Sequence, residues 1–165
     1  MPISFQRWMV CLIICAFTMG CGEDEEGGIE APPVDNPAMG KNFGENWRFV
    51  TGYSGGPDTD TDEHFFIILS DRPIHGCQGW HEIDETYYVV TLRAPRAVGA
   101  HQGVLGFTER NPEGAHPTVV TEDPANPAFI IVDEITDDHI IGEIDGFADP
   151  ENFVSGRFSA VICHD

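Results

Sequence analysis

Residues 139–164, HIIGEIDGFADPENFVSGRFSAVICH, decide the fold that this sequence predicts. Two segments of alternating side chains flank ADPEN at 148–152, whose composition is typical of a hairpin loop. A period of two is that of a half-buried β-strand, so the stretch predicts an antiparallel hairpin with one face in a core. The predicted core face carries Ile140, Gly142, Ile144 and Gly146 in the first strand and Val154, Gly156, Phe158, Ala160 and Ile162 in the second.

The chain from Lys41 onward repeats this pattern as short β-branched and aromatic runs between Gly, Pro, Asn and Asp clusters. No segment shows a helical period over a helix-like length. Eight strands are predicted, at 46–53, 64–70, 86–94, 103–108, 117–121, 128–135, 139–147 and 153–164. The fold class is therefore all-β, an antiparallel β-sandwich, with a small β-barrel as the alternative. Two runs that are apolar on both faces, 65–69 and 129–132, favour the sandwich.

The first twenty residues have the composition of a targeting segment. Arg7 is their only charge, and the uncharged run from Trp8 to Met19 is twelve residues long. A spanning helix needs about 20 apolar residues, so this run is too short for a permanent anchor. Residues 1–20 are therefore predicted to be a signal peptide.

Gly20 and Cys21 follow this run and resemble the lipobox of bacterial lipoproteins, in which small residues precede a cysteine that is acylated and becomes the mature N-terminus. Thr18 departs from the pattern, because that position is usually leucine, and Met19 is not the usual small residue. The resemblance covers the first 21 residues. It implies a lipid such as palmitate on Cys21 and a cell-envelope location, with the outer membrane favoured. The alternative is ordinary signal cleavage and secretion, with Cys21 left as a free thiol.

The cysteine count agrees with this interpretation. Of the five cysteines, Cys11 and Cys15 leave with the signal peptide, and Cys21 carries the lipid. Cys77 and Cys163 remain as an even pair in an oxidising compartment, so the sequence predicts a disulfide between them.

The net charge of the chain limits the classes of partner that it can bind. Lys and Arg total 8 against 28 Asp and Glu, and loss of Arg7 leaves 7 against 28, or −21, in the mature chain. So anionic a surface repels phosphate backbones, which argues against nucleic-acid binding, and it also disfavours electrostatic attraction to anionic headgroups. Cations or basic partners remain compatible with it.

Two further regions follow the signal peptide. Residues 21–40 comprise the lipidated cysteine and an acidic segment with six acids, four glycines and three prolines. This composition predicts a disordered tether. Residues 41–165 are enough for a single β domain with its own core, and no second boundary is evident.

Gly52-Tyr53-Ser54-Gly55-Gly56 matches the G-x-S-x-G pattern of a nucleophile elbow. That motif requires a strand before the serine and a helix after it. The following PDTDTD at 57–62 does not favour such a helix, so the stretch is interpreted as a glycine-rich loop between strands, with a catalytic Ser54 as the alternative.

Acidic residues cluster directly after this stretch, at Asp58, Asp60, Asp62 and Glu63. Alternating carboxylates supply the hard oxygen ligands that Ca²⁺ prefers. The EF-hand pattern is excluded, because its sixth and twelfth positions are Glu63 and Leu69. The two remaining interpretations are a calcium loop of another kind and a solvated charged loop.

The predicted disulfide brings three histidines into one neighbourhood. His75 and His81 flank Cys77, and His164 follows Cys163. Imidazoles of this kind bind zinc or copper, so they form a candidate metal site, although loop histidines are commonly polar surface residues. Trp80 in the same loop is either a lid over the core or an aromatic platform for a ligand such as a sugar or peptide.

Two function classes remain open. The favoured one is a non-enzymatic envelope module that binds a protein, a polysaccharide or a cation, or that contributes to surface architecture. The alternative is a small hydrolase or metal-dependent enzyme that uses Ser54 or the cluster of His75, His81 and His164. Possible Ca²⁺ binding is the only cofactor expectation.

Overall fold

The computed structural model describes residues 31–55, 61–74, 77, 85–112, 116–121 and 127–164. These ranges contain β-strands and no helix, which confirms the all-β prediction. The strands are β1 (Met39–Asn42), β2 (Glu45–Arg48), β3 (Thr51–Ser54), β4 (His64–Ser70), β5 (Tyr87–Pro95), β6 (Gly99–Gly103), β7 (Leu105–Arg110), β8 (Thr118–Val120), β9 (Ala128–Ile135), β10 (His139–Asp149) and β11 (Asn152–Val161). Accordingly, none of the described ranges supplies a helix with the length and apolarity to cross a membrane.

All eleven described strands belong to one sheet, in the order β6-β9-β10-β11-β3-β4-β5-β7-β8, with the β1–β2 hairpin attached to β11. The sheet is mixed, because β11 and β3 pair in parallel at Val161 and Tyr53 while the other strand pairs are antiparallel. It curls into a half-barrel, an arrangement compatible with either a sandwich or a barrel-like fold. The side chains on the inner side of the curled sheet form one core, which includes Phe107 from β7, Ile130 from β9 and Phe158 from β11.

The predicted hairpin is formed by β10 and β11. Ile140, Ile144 and Phe158 are buried on its inner face, as the alternation predicts. Gly142 is paired with Phe158, and a Cβ added at Gly142 would lie 3.1 Å from the Phe158 ring. A glycine within a strand permits this close approach of an aromatic ring, because it has no side chain to fill the space.

The loop of this hairpin is shorter than ADPEN. The strands continue to Asp149 and resume at Asn152, leaving Pro150 and Glu151 as the turn. Asp149 Oδ1 accepts a hydrogen bond from the Glu151 backbone N–H at 2.8 Å and one from Asn152 Nδ2 at 3.1 Å. The aspartate thereby stabilises the turn from its own side chain, a role typical of Asp in turns.

The two continuous apolar runs differ in environment. In β4, alternate residues enter the main core, and the opposite face contributes Ile68 to a second cluster with Ile74, Tyr87 and Val89. This strand is buried on both faces, as predicted. In β9, Ile130 is buried, whereas Phe129 is 48% exposed and Ile131 37% exposed. The outer side of β9 is therefore partly exposed.

Residues 31–40, placed in the tether by their composition, pack on the domain. Ala38 is fully buried, and β1 begins at Met39 and pairs with β11. Gly156 permits this contact, because its φ is +128° and a Cβ there would lie 2.8 Å from the Cα of Ala38. The described β domain therefore includes residues before Lys41.

One predicted strand, 46–53, is divided into β2 and β3. The backbone N–H of Phe49 donates to the Ala38 carbonyl at 2.8 Å, and that of Val50 donates to the Ser70 carbonyl at 2.9 Å. The chain thus changes partner between these residues, from the β1 side to β4. A local alternation pattern cannot reveal such a switch, because it depends on distant strands.

Candidate functional site

Ser54 is the last residue of β3 and is 3% exposed. Its Oγ accepts a hydrogen bond from the backbone N–H of Cys163 at 3.0 Å. β3 pairs antiparallel with β4, which begins at His64, so Ser54 lies where one strand leads to its neighbouring strand. A nucleophile elbow instead leads from a strand into a helix and exposes the serine hydroxyl. The described geometry assigns Ser54 a structural hydrogen bond.

The predicted disulfide is confirmed. Cys77 and Cys163 are joined with a Cα–Cα distance of 5.7 Å across a sequence separation of 86 residues. Cys77 is exposed, whereas Cys163 is buried at the end of the core. The bond therefore attaches the connection between β4 and β5 to the chain that follows β11.

A small pocket adjoins the disulfide. Its walls are Tyr53, Ser54, Gly55, Ile68, Ile74 and Cys77. The Tyr53 hydroxyl donates a hydrogen bond to the Ile74 carbonyl and closes one side. The volume is about 20 Å³, which accommodates a water molecule and no organic ligand. This pocket is therefore a small gap in the packing beside the disulfide and is too small to be a substrate site.

Of the three histidines in the candidate zinc or copper site, only His164 lies in the described chain. It is exposed, and its Nε2 lies 2.7 Å from the Asp137 carbonyl oxygen. The turn between β9 and β10 therefore holds this imidazole. His75 and His81 lie outside the described residues, as does Trp80, the candidate ligand platform.

The candidate calcium loop also lies only partly within the described residues. Asp62 and Glu63 are exposed just before β4, while Asp58 and Asp60 lie outside the described residues. Within the described ranges, no group of three or more His, Cys, Asp or Glu side chains could hold a metal ion. The lipidation candidate Cys21 also lies outside these ranges.

One cluster that the sequence did not reveal joins the β1–β2 hairpin to β5. Asn42 is fully buried, and its Nδ2 donates to the Val89 carbonyl at 2.9 Å. The indole N–H of Trp47 donates to the neighbouring Tyr88 carbonyl at 3.0 Å. The sequence near Asn42 gives no local signal for such a contact, because its partner lies 47 positions away.

Among the described carboxyl groups, Asp71 has a pKa that is raised above its ordinary value. Partial burial raises its pKa, although the Tyr88 backbone N–H and the Arg72 guanidinium act in the opposite direction. Oδ1 of Asp71 accepts the hydrogen bond from Tyr88 at 3.2 Å. Its position at the end of β4 gives it a structural role in holding the start of β5.

Comparison with family models, with curated proteins and with solved structures gives no match for this chain.

Proposed function

We propose that this chain is a cell-envelope lipoprotein, anchored through an acylated Cys21, that displays one β domain as a non-enzymatic binding or structural module. The observation that carries the proposal is the disulfide between Cys77 and Cys163. Disulfides of this kind persist in oxidising compartments outside the cytosol. Pairing these two residues leaves Cys21 as the single unpaired cysteine after the predicted signal peptide, at the position where lipoproteins carry the lipid.

The non-enzymatic assignment is supported by the two candidate catalytic features. Ser54 is buried, and its hydroxyl accepts the N–H of Cys163. Ring nitrogen Nε2 of His164 is held by a backbone carbonyl. Neither side chain is presented at a described pocket that could admit a substrate.

The anchor is tested by mass spectrometry of the mature protein from the membrane fraction. The expected result is a chain that begins at Cys21 and carries added acyl mass on that residue. Cys21→Ser should abolish the acyl mass and move the protein to the soluble fraction. Cys11→Ser, in the segment predicted to be removed, is the matched control and should leave the mature mass unchanged. A wild-type chain that is soluble and unacylated would contradict the proposal and favour secretion.

The binding role is tested separately with the purified mature protein. Native mass spectrometry in calcium and zinc solutions measures whether a stoichiometric metal ion is retained. A bound calcium ion that is lost in Asp62→Asn would identify the acidic loop as a calcium-binding site. Hydrolysis of ester substrates that is lost in Ser54→Ala, with the fold retained, would contradict the non-enzymatic assignment.

A further inference from the structure

Two rows of outward side chains cross the part of the sheet that includes β9 and β10. The first row, in register order from β6 to β2, is Gln102, Phe129, Asp145, Ser155, Met39 and Arg48. The second row, from β10 to β2, is Phe147, Phe153, Lys41 and Asn46. Side chains at paired positions point to the same side of a sheet, so these rows form one continuous surface.

The rows contain an exposed apolar surface. Met39 is 55% exposed, Phe129 48% and Phe147 47%, and Phe153 between them is half-buried. We call these four residues, with Lys41 and Arg48 beside them, the apolar face. Contiguous exposed apolar patches of this kind mark interaction sites, because single exposed residues are common but clusters are not.

The charge of these rows differs from that of the rest of the chain. They contain two cations, Lys41 and Arg48, and one anion, Asp145, for a net charge of +1, in a chain whose net charge is −20. The neighbouring Arg157 is held by Asp133 at 2.7 Å and Glu143 at 3.6 Å. An anionic surface therefore repels these rows less than it repels the chain as a whole.

The chain also enters the domain on this side. Oγ of Ser159 donates to the Pro32 carbonyl at 2.7 Å. Ser159 alternates with Arg157, Ser155 and Phe153 on the outer side of β11, opposite the buried Phe158 and Ala160. The first described residues therefore meet the outer side of the strand that contributes Phe153 to the apolar face.

The remaining tether is short. Ala31 lies ten positions after Cys21. Ten residues span at most about 35 Å even when they are fully extended. A lipid on Cys21 thus keeps the entry side of the domain close to the membrane.

We propose that the apolar face lies against the lipid surface to which Cys21 is anchored. This inference rests on the proposed lipid anchor and adds an orientation to it. Phe129 and Phe147 enter the boundary between headgroups and acyl chains, while Lys41 and Arg48 contact headgroup phosphates. The acids Asp133 and Glu143, on the same outer side of the sheet, are paired with Arg157. A second copy of the chain is disfavoured as the occupant, because association would bring two highly anionic domains together.

The test uses an environment-sensitive fluorophore on the full mature chain, acylated and reconstituted into mixed phosphatidylcholine and phosphatidylglycerol vesicles. One label is placed at Ser155→Cys, an exposed position of the first row that is paired with Met39, and the matched label at Arg93→Cys, an exposed position on β5. The expected result is a fluorescence rise at position 155 and none at position 93. The double substitution Phe129→Ser and Phe147→Ser should abolish the rise. Val98→Ser, which removes a 64% exposed apolar side chain elsewhere, should preserve it.

The same fluorescent label in the Cys21→Ser variant distinguishes membrane binding by the apolar face from membrane binding by the acyl anchor. Adding vesicles to this unacylated chain should give weak binding that falls roughly tenfold in the double serine variant. A rise at position 155 in a chain whose wild type lacks acyl mass would overturn the anchor and support the lipid contact.

Three results would overturn the lipid contact. The first is an equal response at both positions of the acylated chain, and the second is a rise that the double serine variant retains. The third is a rise that depends on protein concentration without vesicles and disappears in the double serine variant. That outcome would assign the apolar face to a second copy and would leave the acyl anchor intact.

Discussion

The hydroxyl oxygen of Ser54 accepts the backbone N–H of Cys163 at 3.0 Å, a hydrogen bond between residues 109 positions apart. Ser54 is 3% exposed, so the amide is paired inside the protein. This bond and the adjacent disulfide together fix the chain after β11 against the end of β3. The serine of the G-x-S-x-G stretch therefore has a structural role, which is to accept the buried N–H of Cys163.

Ser54→Ala should lower the free energy of unfolding by about 1–3 kcal/mol, because the Cys163 N–H then remains buried without its acceptor. Chemical denaturation of the oxidised mature chain measures the change. Ser155→Ala is the control, since Ser155 is exposed on β11 and its loss should change stability by no more than about 0.5 kcal/mol. Equal stabilities of the two variants would contradict a structural role for the Ser54 hydroxyl.

Replacing both disulfide cysteines, Cys77→Ser with Cys163→Ser, should lower the free energy of unfolding by about 2–5 kcal/mol. The physical reason is the long loop of 86 positions that the bond closes in the unfolded chain. Denaturation with and without a reductant measures it. The reductant should destabilise the wild type and leave the double variant unchanged, whereas equal effects on both proteins would show that the bond does not govern stability.

Gly156→Ala and Gly44→Ala distinguish backbone strain from a steric clash. Both glycines have positive φ, at +128° and +81°. At Gly44 the nearest atoms to an added Cβ lie 3.9 Å away, so only conformational strain applies, at about 1 kcal/mol. At Gly156 the added Cβ also meets the Ala38 backbone at 2.8 Å.

We therefore expect Gly156→Ala to be more destabilising than Gly44→Ala by about 1–3 kcal/mol in denaturant titrations. Limited proteolysis should also cut the segment 31–38 faster in Gly156→Ala, because that segment packs directly on this glycine. Equal stability and equal cleavage of the two variants would contradict the described contact with β11.

Asp71→Asn should make the stability of the protein less dependent on pH. Burial raises the pKa of Asp71 above its ordinary value of 3.8, so the folded state binds more protons than the unfolded state between the two pKa values. Stability from this carboxyl is present at low pH and is lost as the pH rises through that interval. The asparagine retains an oxygen that can accept the Tyr88 N–H without the cost of a buried charge.

The variant should accordingly be more stable than the wild type at pH 7 and equal to it below about pH 3, where the carboxyl is protonated in both states. Midpoints of denaturation across this range measure the difference. Asp145→Asn, at an exposed carboxylate, is the control. A gain for Asp71→Asn that is constant with pH would show that its cause is something other than ionisation.

The sequence predicted features that depend on local alternation and residue type. The β10–β11 hairpin and the pairing of Cys77 with Cys163 both follow from patterns or counts that are visible in the chain. Each is decided by nearby residues or, for the disulfide, by elimination among the cysteines.

Features that depend on distant partners were not predicted. Residues 31–40 have the composition of a linker, yet they pack on β11 because Gly156 leaves space for the Ala38 backbone. The run 129–132 is apolar on both faces, which favours burial, but Phe129 and Ile131 face outward. Composition cannot distinguish a residue that is covered by a second layer from one that is available to a partner.

The position of β11 in the sheet determines when the domain can be completed. This strand pairs with β10 on one side and with both β1 and β3 on the other, and Cys163 lies two residues after its end. A chain that emerges from its N-terminus presents β1 and β3 long before residues 152–163 are available to them. Closure of the sheet therefore waits for residues 152–163, and contacts of such large sequence separation make folding slow.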